Sequence, residues 1–275
     1  MMIIRIIMII LSIICSIIPS IFMKIKLPKQ LYIPVLLFVG SFIVLYLLYF
    51  TILFFIGKIY QKKKNYSKQS KSVNFIFNQT LEIVCHFARI KVKTTGLEKV
   101  PNNQKFMLVY NHRSNFDPMI ESLMFKKQKL IHISKKENFS IPIAGGFIFR
   151  QCYLYLDREN LRSSVEVINK AINYIKEDKY SIGVAPEGTR NKENIPLLPF
   201  KHGTFRIALL SKCPIVICSL HDFEKIHKNF PFKSSKVSMN VLQVLNYEDY
   251  KDLNTAELSE KVYNVLYEDL KDVYK

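Results

Sequence analysis

The chain has 275 residues, is 49% hydrophobic, and carries 40 Lys and Arg against 22 Asp and Glu, a formal charge of +18. Five scattered cysteines (Cys15, Cys85, Cys152, Cys213, Cys218) form no C-x-x-C pair and complete no zinc spacing, which excludes a disulfide framework and reads as buried thiols in a reduced compartment. The basic charge leaves anionic lipid and nucleic acid as partners, and no helix-turn-helix, zinc-finger or RNP-type motif supports the nucleic acid.

Residues 1–56 hold only Arg5, Lys24, Lys26 and Lys29 as charges. Ile6 to Met23 and Leu31 to Ile56 are both uncharged. A spanning helix needs roughly 20 apolar residues, so the second run reads as a membrane segment and the first, which carries Pro19, as a shorter partner. A basic residue near the start fits a cleaved signal peptide, but no A-x-A-like site follows. The expectation is a retained hydrophobic hairpin over 1–56, spanning the bilayer or dipping into one leaflet. Residues 57–72 read as a polar linker with Lys58, Lys62, Lys63, Lys64, Lys68 and Lys71. This positive cluster puts residues 73–275 on the cytoplasmic face.

Val73, Ile76, Phe77, Leu81, Val84 and Phe87 recur at helical spacing. Short apolar runs at 106–110, 130–134, 153–156, 181–184 and 215–219 then read as strands. They alternate with helical patterns at 118–125, 161–175 and 205–210. An edge strand is expected at 237–244 and a closing amphipathic helix at 255–273. The alternation predicts an α/β fold, a central mixed and largely parallel sheet flanked by helices. No GxGxxG, GxxxxGK[ST] or GxSxG motif occurs, so dinucleotide binding, P-loop phosphoryl transfer and nucleophile-elbow hydrolysis lose support.

Three polar clusters fall at predicted strand ends, where open α/β sheets gather ligands. In Asn111-His112-Arg113-Ser114-Asn115-Phe116-Asp117-Pro118, a histidine and an aspartate five apart suit an imidazole base oriented by a carboxylate. The same residues also fit a helix start, with Ser114 capping and Asp117 in the first turn. Arg158, after Asp157, is either a surface ion-pair member or a phosphate ligand. Glu187-Gly188-Thr189-Arg190 is either a plain tight loop or one whose glycine allows close approach to a ligand that the arginine reaches. Lys201 and Gly203 precede a predicted helix, where backbone N–H groups can face an oxyanion.

Four ordered blocks now stand in the chain: Asn-His-x-x-x-x-Asp-Pro, Leu-Asp-Arg, Pro-Glu-Gly-Thr-Arg and Cys213-Pro214-Ile215-Val216. Together, over roughly residues 95–220, they resemble the glycerolipid acyltransferases, most of all the 1-acylglycerol-3-phosphate O-acyltransferases. The resemblance implies His112 as general base and Asp117 as its orienting partner. It implies Arg158 as a ligand of the acceptor phosphate, and Glu187, Gly188, Thr189 and Arg190 as shaping the acceptor site. Pro214 falls in the block linked to the acyl side or to support of the site. Ala185 stands where this family usually has a bulky, often aromatic residue, which bears on packing beside the acceptor.

The implied reaction passes an acyl group from acyl-CoA or acyl carrier protein to the free hydroxyl of lysophosphatidate at a membrane. Phosphatidate forms without a metal, a cofactor or a covalent acyl-enzyme. Other acceptors, such as glycerol-3-phosphate or a different lysophospholipid, and an inactive lipid-binding protein are the alternatives.

Overall fold

Two uncharged stretches build the first helices, α1 (Ile3–Phe22) and α2 (Tyr32–Lys62), and Pro19 sits within α1 without ending it. The computed structural model describes residues 3–26, 28–62, 66–157 and 160–273. Lys63 and Lys64 of the expected basic linker lie outside them. Both helices are long and apolar enough to cross a membrane, and most of their Ile, Leu, Val and Phe side chains face outward. Water penalises such a surface and hydrocarbon does not. The helices meet through small polar groups: Ser16 Oγ donates to Pro34 O at 2.6 Å and Ser41 Oγ to Ser12 O at 3.3 Å.

By packing the chain forms two compact units, one of Met1–Ile83 with Glu137–Gln151 and one of Val84–Lys136 with Cys152–Lys275. In the first, α2 meets α5 (Ala144–Arg150), which the sequence did not suggest, and α3 (Lys71–Phe87) lies mostly within this unit rather than with the motif-bearing part. The α2–α5 crossing needs glycine, because a Cβ on Gly146 would stand 2.0 Å from Gly57 O. Leu53, Val73 and Phe147 form the core there.

The second unit holds one sheet in the order β1-β7-β6-β2-β5-β3-β4. Its strands are β1 (Ile90–Thr95), β2 (Met107–Tyr110), β3 (Leu130–Lys135), β4 (Leu154–Leu156), β5 (Ser181–Val184), β6 (Ile215–His221) and β7 (Ser235–Leu245). Five of them, β6, β2, β5, β3 and β4, run parallel, and β7 returns antiparallel on β6 with β1 parallel beside it. The expected edge strand at 237–244 is therefore internal, and β1, whose alternating lysines hid it, takes the edge. Helices α4 (Asp117–Met124), α6 (Leu161–Lys176), α7 (Arg206–Ser211), α8 (Lys225–Asn229) and α9 (Thr255–Leu270) connect or cover the strands. Phe106, Leu108, Ile120, Phe125, Val216, Leu220 and Met239 are fully buried in the main core.

This topology sets the site. The chain leaves β2 toward β3 on one side, while β6 lies on the other, so the carboxyl end of β2 is a switch point where a crevice opens. Because β1 and β7 run opposite to the parallel strands, their amino ends lie along that same edge of the sheet.

Candidate active site

Buried residues fix the chain as it leaves β2. Asn111 is fully buried and its amide replaces a strand's hydrogen bonds: Nδ2 donates to Leu220 O at 2.9 Å and Oδ1 accepts from Leu220 N at 2.7 Å. The next residue is His112. Its Nδ1 lies 2.7 Å from Asp117 Oδ2, which also accepts from the backbone N–H groups of Arg113 at 2.8 Å and Ser114 at 2.9 Å. A carboxylate can only accept here, so Nδ1 carries the hydrogen and Nε2 presents its lone pair. Asp117 is wholly buried while the imidazole keeps 23% exposure, which leaves the ring reachable from the crevice.

Asp117 opens α4 with Pro118 behind it, as the helix-start reading expected, but the cap position is Phe116 and no side chain caps the helix. The Asp117 carboxylate turns back to Arg113 N, Ser114 N and the imidazole instead. Ser114 is buried and its Oγ accepts from Phe116 N at 3.3 Å. That hydroxyl serves the turn.

Glu187 is buried, and its carboxylate is a strut. Oε1 accepts from His112 N at 2.7 Å and Oε2 from Leu198 N at 2.9 Å. Burial pushes its pKa up, and the two backbone N–H groups and the Arg113 guanidinium pull the other way. Asn191 completes the clamp by donating its N–H to His112 O at 2.8 Å. Arg113, which sequence reasoning passed over, is also buried. Its guanidinium donates to the carbonyls of Glu193, Ile195 and Pro196, and so fixes the loop that faces the histidine. Its signal in the sequence was only its place beside His112.

Gly188 has φ +71°, and a Cβ there would lie 2.9 Å from Lys201 Cε. The glycine thus lets the Lys201 side chain cross the loop. Lys201 N–H donates to Pro186 O at 2.9 Å, so the backbone donor expected at this residue is already committed. What Lys201 brings to the loop is its ammonium. Gly203 lies in a 3-10 turn (His202–Phe205), and a Cβ on it would meet open space. Thr189 is exposed and Arg190 half-buried, with no ion pair to Arg190 among the described residues. Arg158 lies outside the described residues. Its neighbour Asp157 pairs with Lys136 Nζ at 3.0 Å. Ala185 packs partly buried against the main core.

Behind the dyad lies a buried polar cluster. His132 Nδ1 stands 3.5 Å from Glu121 Oε2 and 3.3 Å from Tyr110 OH, and Ser122 Oγ meets Tyr153 OH at 2.6 Å. Gly183 makes room for the imidazole, since a Cβ would come 2.5 Å from His132 Nδ1. Burial, aided by the Asp117 charge, keeps the Glu121 carboxyl protonated well above its ordinary range. Burial, aided by His112, lowers His132 to about 3.

These shifts predict a pH signature. Unfolded, Glu121 ionises near 4.5 and His132 near 6.5. Between those values each state binds one proton, so the pair adds no slope. Below 4.5 the unfolded chain binds more protons and acid destabilises the fold; above 6.5 the folded chain binds more and stability falls as pH rises. Glu121→Gln leaves only the imidazole to titrate. Relative to the parent it should gain about 1.4 kcal/mol per pH unit above the ordinary carboxyl value, until the folded carboxyl ionises. Unfolding midpoints of both proteins in detergent across this range check it, and parallel curves would mean that Glu121 is ionised in the fold.

Residues 91–221 match the family model described as Acyltransferase. A relative from Saccharomyces cerevisiae named 1-acyl-sn-glycerol-3-phosphate acyltransferase is 25% identical over 187 residues, 67% of this chain and 61% of that one. The protein of the same name from Haemophilus influenzae is 29% identical over 174 residues, 61% of this chain and 71% of that one. The chain thus spans less than two thirds of the yeast relative's length. The crystal structure of the 1-acyl-sn-glycerophosphate (LPA) acyltransferase PlsC from Thermotoga maritima shares the fold, with a TM-score of 0.57 and 22% identity over 81% of this chain and 94% of that one.

Proposed function

Through residues 91–221 the chain belongs to the acyltransferase family, and from that membership we propose that it transfers an acyl group from an acyl thioester to the free hydroxyl of 1-acyl-sn-glycerol-3-phosphate. The carrying observation is the His112–Asp117 pair, hydrogen-bonded at 2.7 Å with Nε2 left as the base. Relatives whose names specify this acceptor support the choice of substrate.

In the proposed reaction, Nε2 takes the hydroxyl proton as the oxygen attacks the thioester carbonyl carbon. A C–O bond forms and the carbonyl π electrons move onto oxygen. Collapse of that tetrahedral species breaks the C–S bond, and the departing thiolate takes the proton from the imidazolium. Thiolates leave readily, so the protein's tasks are deprotonation and alignment. The buried Asp117 charge stabilises the imidazolium formed on the way. Arg190 and the Lys201 ammonium supply positive charge for the acceptor phosphate, joined in this reading by Arg158. Coenzyme A or acyl carrier protein carries the acyl group, and the reaction draws on no metal or cofactor. The apolar helices hold the enzyme on the membrane, and the lysines after α2 put the sheet domain on the cytoplasmic side.

Purified protein given labelled acyl thioesters and a panel of acceptors should form phosphatidate from lysophosphatidate. Absence of transfer to any acceptor would remove the enzyme reading. Arg190→Ala should raise the acceptor KM about tenfold or more with kcat little changed, as expected for a lost charge-assisted phosphate contact. An unchanged KM would take Arg190 out of the phosphate site.

A further inference from the structure

Along the edge of the sheet that carries His112 lies an exposed surface that the reaction does not use. The segment between α8 and β7, Phe230-Pro231-Phe232-Lys233, projects two aromatic rings into solvent, Phe232 at 83% exposure and Phe230 at 52%. It is pinned to the chain entering β1: Arg89 Nη1 donates to Phe232 O at 2.7 Å, and Ser235 N and Ser234 Oγ both donate to Arg89 O. Phe87, 47% exposed, stands just before that contact. The rings are therefore held outward by a defined backbone.

Positive charge surrounds them. Lys91 and Lys236 occupy matched positions on the neighbouring strands β1 and β7, and Lys228 and Lys233 flank the aromatic pair. Like charges side by side on a sheet repel unless an anion lies between or over them. None of these four lysines has an acidic partner among the described residues. The sequence offers Lys91, Lys233 and Lys236 none nearby, since no Asp or Glu occurs from Lys225 to Tyr247 or from Ile83 to Leu97, while Glu224 stands four residues before Lys228.

We propose that this aromatic and basic surface docks on an anionic bilayer and turns the mouth of the crevice toward the leaflet. Three observations favour a bilayer as the occupant. Exposed aromatic rings ringed by lysines match the two layers of a membrane surface, headgroup charge above and acyl interior below. The chain's own apolar helices α1 and α2 tether the domain to a membrane, so a bilayer is the surface it meets at high effective concentration. The patch is also continuous with the site: the His227 ring on α8 lies 5.6 Å from the ring of Phe116, inside the segment joining His112 to Asp117. A lipid acceptor leaving the leaflet would have a short path to the base.

Hydrogen exchange on the full chain tests the docking itself and needs no catalytic activity. In nanodiscs containing phosphatidylglycerol, amides of residues 86–91 and 229–236 should exchange about tenfold more slowly than in detergent, with less protection in phosphatidylcholine alone and little in a Phe230→Ser, Phe232→Ser double variant. Equal exchange in all three environments overturns the proposal. So does protection in detergent that grows with protein concentration, which would mark a second copy as the occupant.

An activity arm rests on the acyl-transfer reading. The double variant should lose about tenfold on acceptor embedded in anionic vesicles while holding parent activity on a short-chain, monodisperse acceptor. Equal loss on both acceptors overturns the docking role. Inactivity of the parent on both would count against the acyl-transfer reading and leave the exchange result to decide the docking.

Discussion

His112→Ala should lower kcat by about three orders of magnitude while the protein stays folded, because a positioned base contributes roughly 10²–10⁴. The two halves of that expectation come from different atoms. The imidazole supplies Nε2, and its loss removes the proton acceptor. The backbone of the same residue supplies the architecture, accepting from Asn191 N and donating to Glu187 Oε1, and alanine keeps both bonds. Only the hydrogen bond from Nδ1 to the buried Asp117 disappears, a loss of about 2 kcal/mol for a charged pair. Acyl transfer and thermal unfolding measured on the same preparation separate the effects. Undiminished turnover in a folded variant would end the assignment of His112 as base.

Asp117→Asn should cost about two to four orders of magnitude in kcat with the acceptor KM little changed. The backbone N–H groups of Arg113 and Ser114 both point at Oδ2, so the amide oxygen must take that place. The amide NH₂ then falls where Oδ1 lies, a buried atom with no hydrogen-bond partner. The ring keeps an acceptor at Nδ1 but loses the negative charge that stabilises the imidazolium. The buried donor left behind should lower stability by about 1–3 kcal/mol. Parent-level kcat in Asp117→Asn would mean that the carboxylate only braces the turn between β2 and α4.

The five parallel strands are legible in the sequence because both faces of their centre are covered. Met107–Tyr110 and Ser181–Val184 are buried at every position, so they read as short continuous apolar runs. β1 is not legible for the opposite reason. Lys91 and Lys93 face solvent, and Ile90, Val92 and Thr94 alternating with them do not distinguish a strand from a linker. β7 shows its alternation but not its neighbours, since pairing with both β6 and β1 depends on segments far apart in the chain.

The site divides in the same way. His112 and Asp117 are readable because five residues of local chain fix their spacing. The strut role of Glu187 is not, because it depends on where Leu198 N and His112 N converge. Lys201 shows the limit of reading a helix entry as a donor site, since its N–H turns back to Pro186.

The route of the chain between its two units has a further consequence. After Lys136 it leaves the sheet unit, spends Glu137–Gln151 with the amino-terminal helices, and returns at Cys152. The units are interlaced along the polypeptide, not strung in series. Shortening the protein to Val84 onward would strip α5 of α2, uncovering Gly145, Gly146 and Phe147, all buried in the intact chain. Helix α2 thus completes the fold of a hairpin-like excursion that begins and ends inside the sequence of the sheet unit.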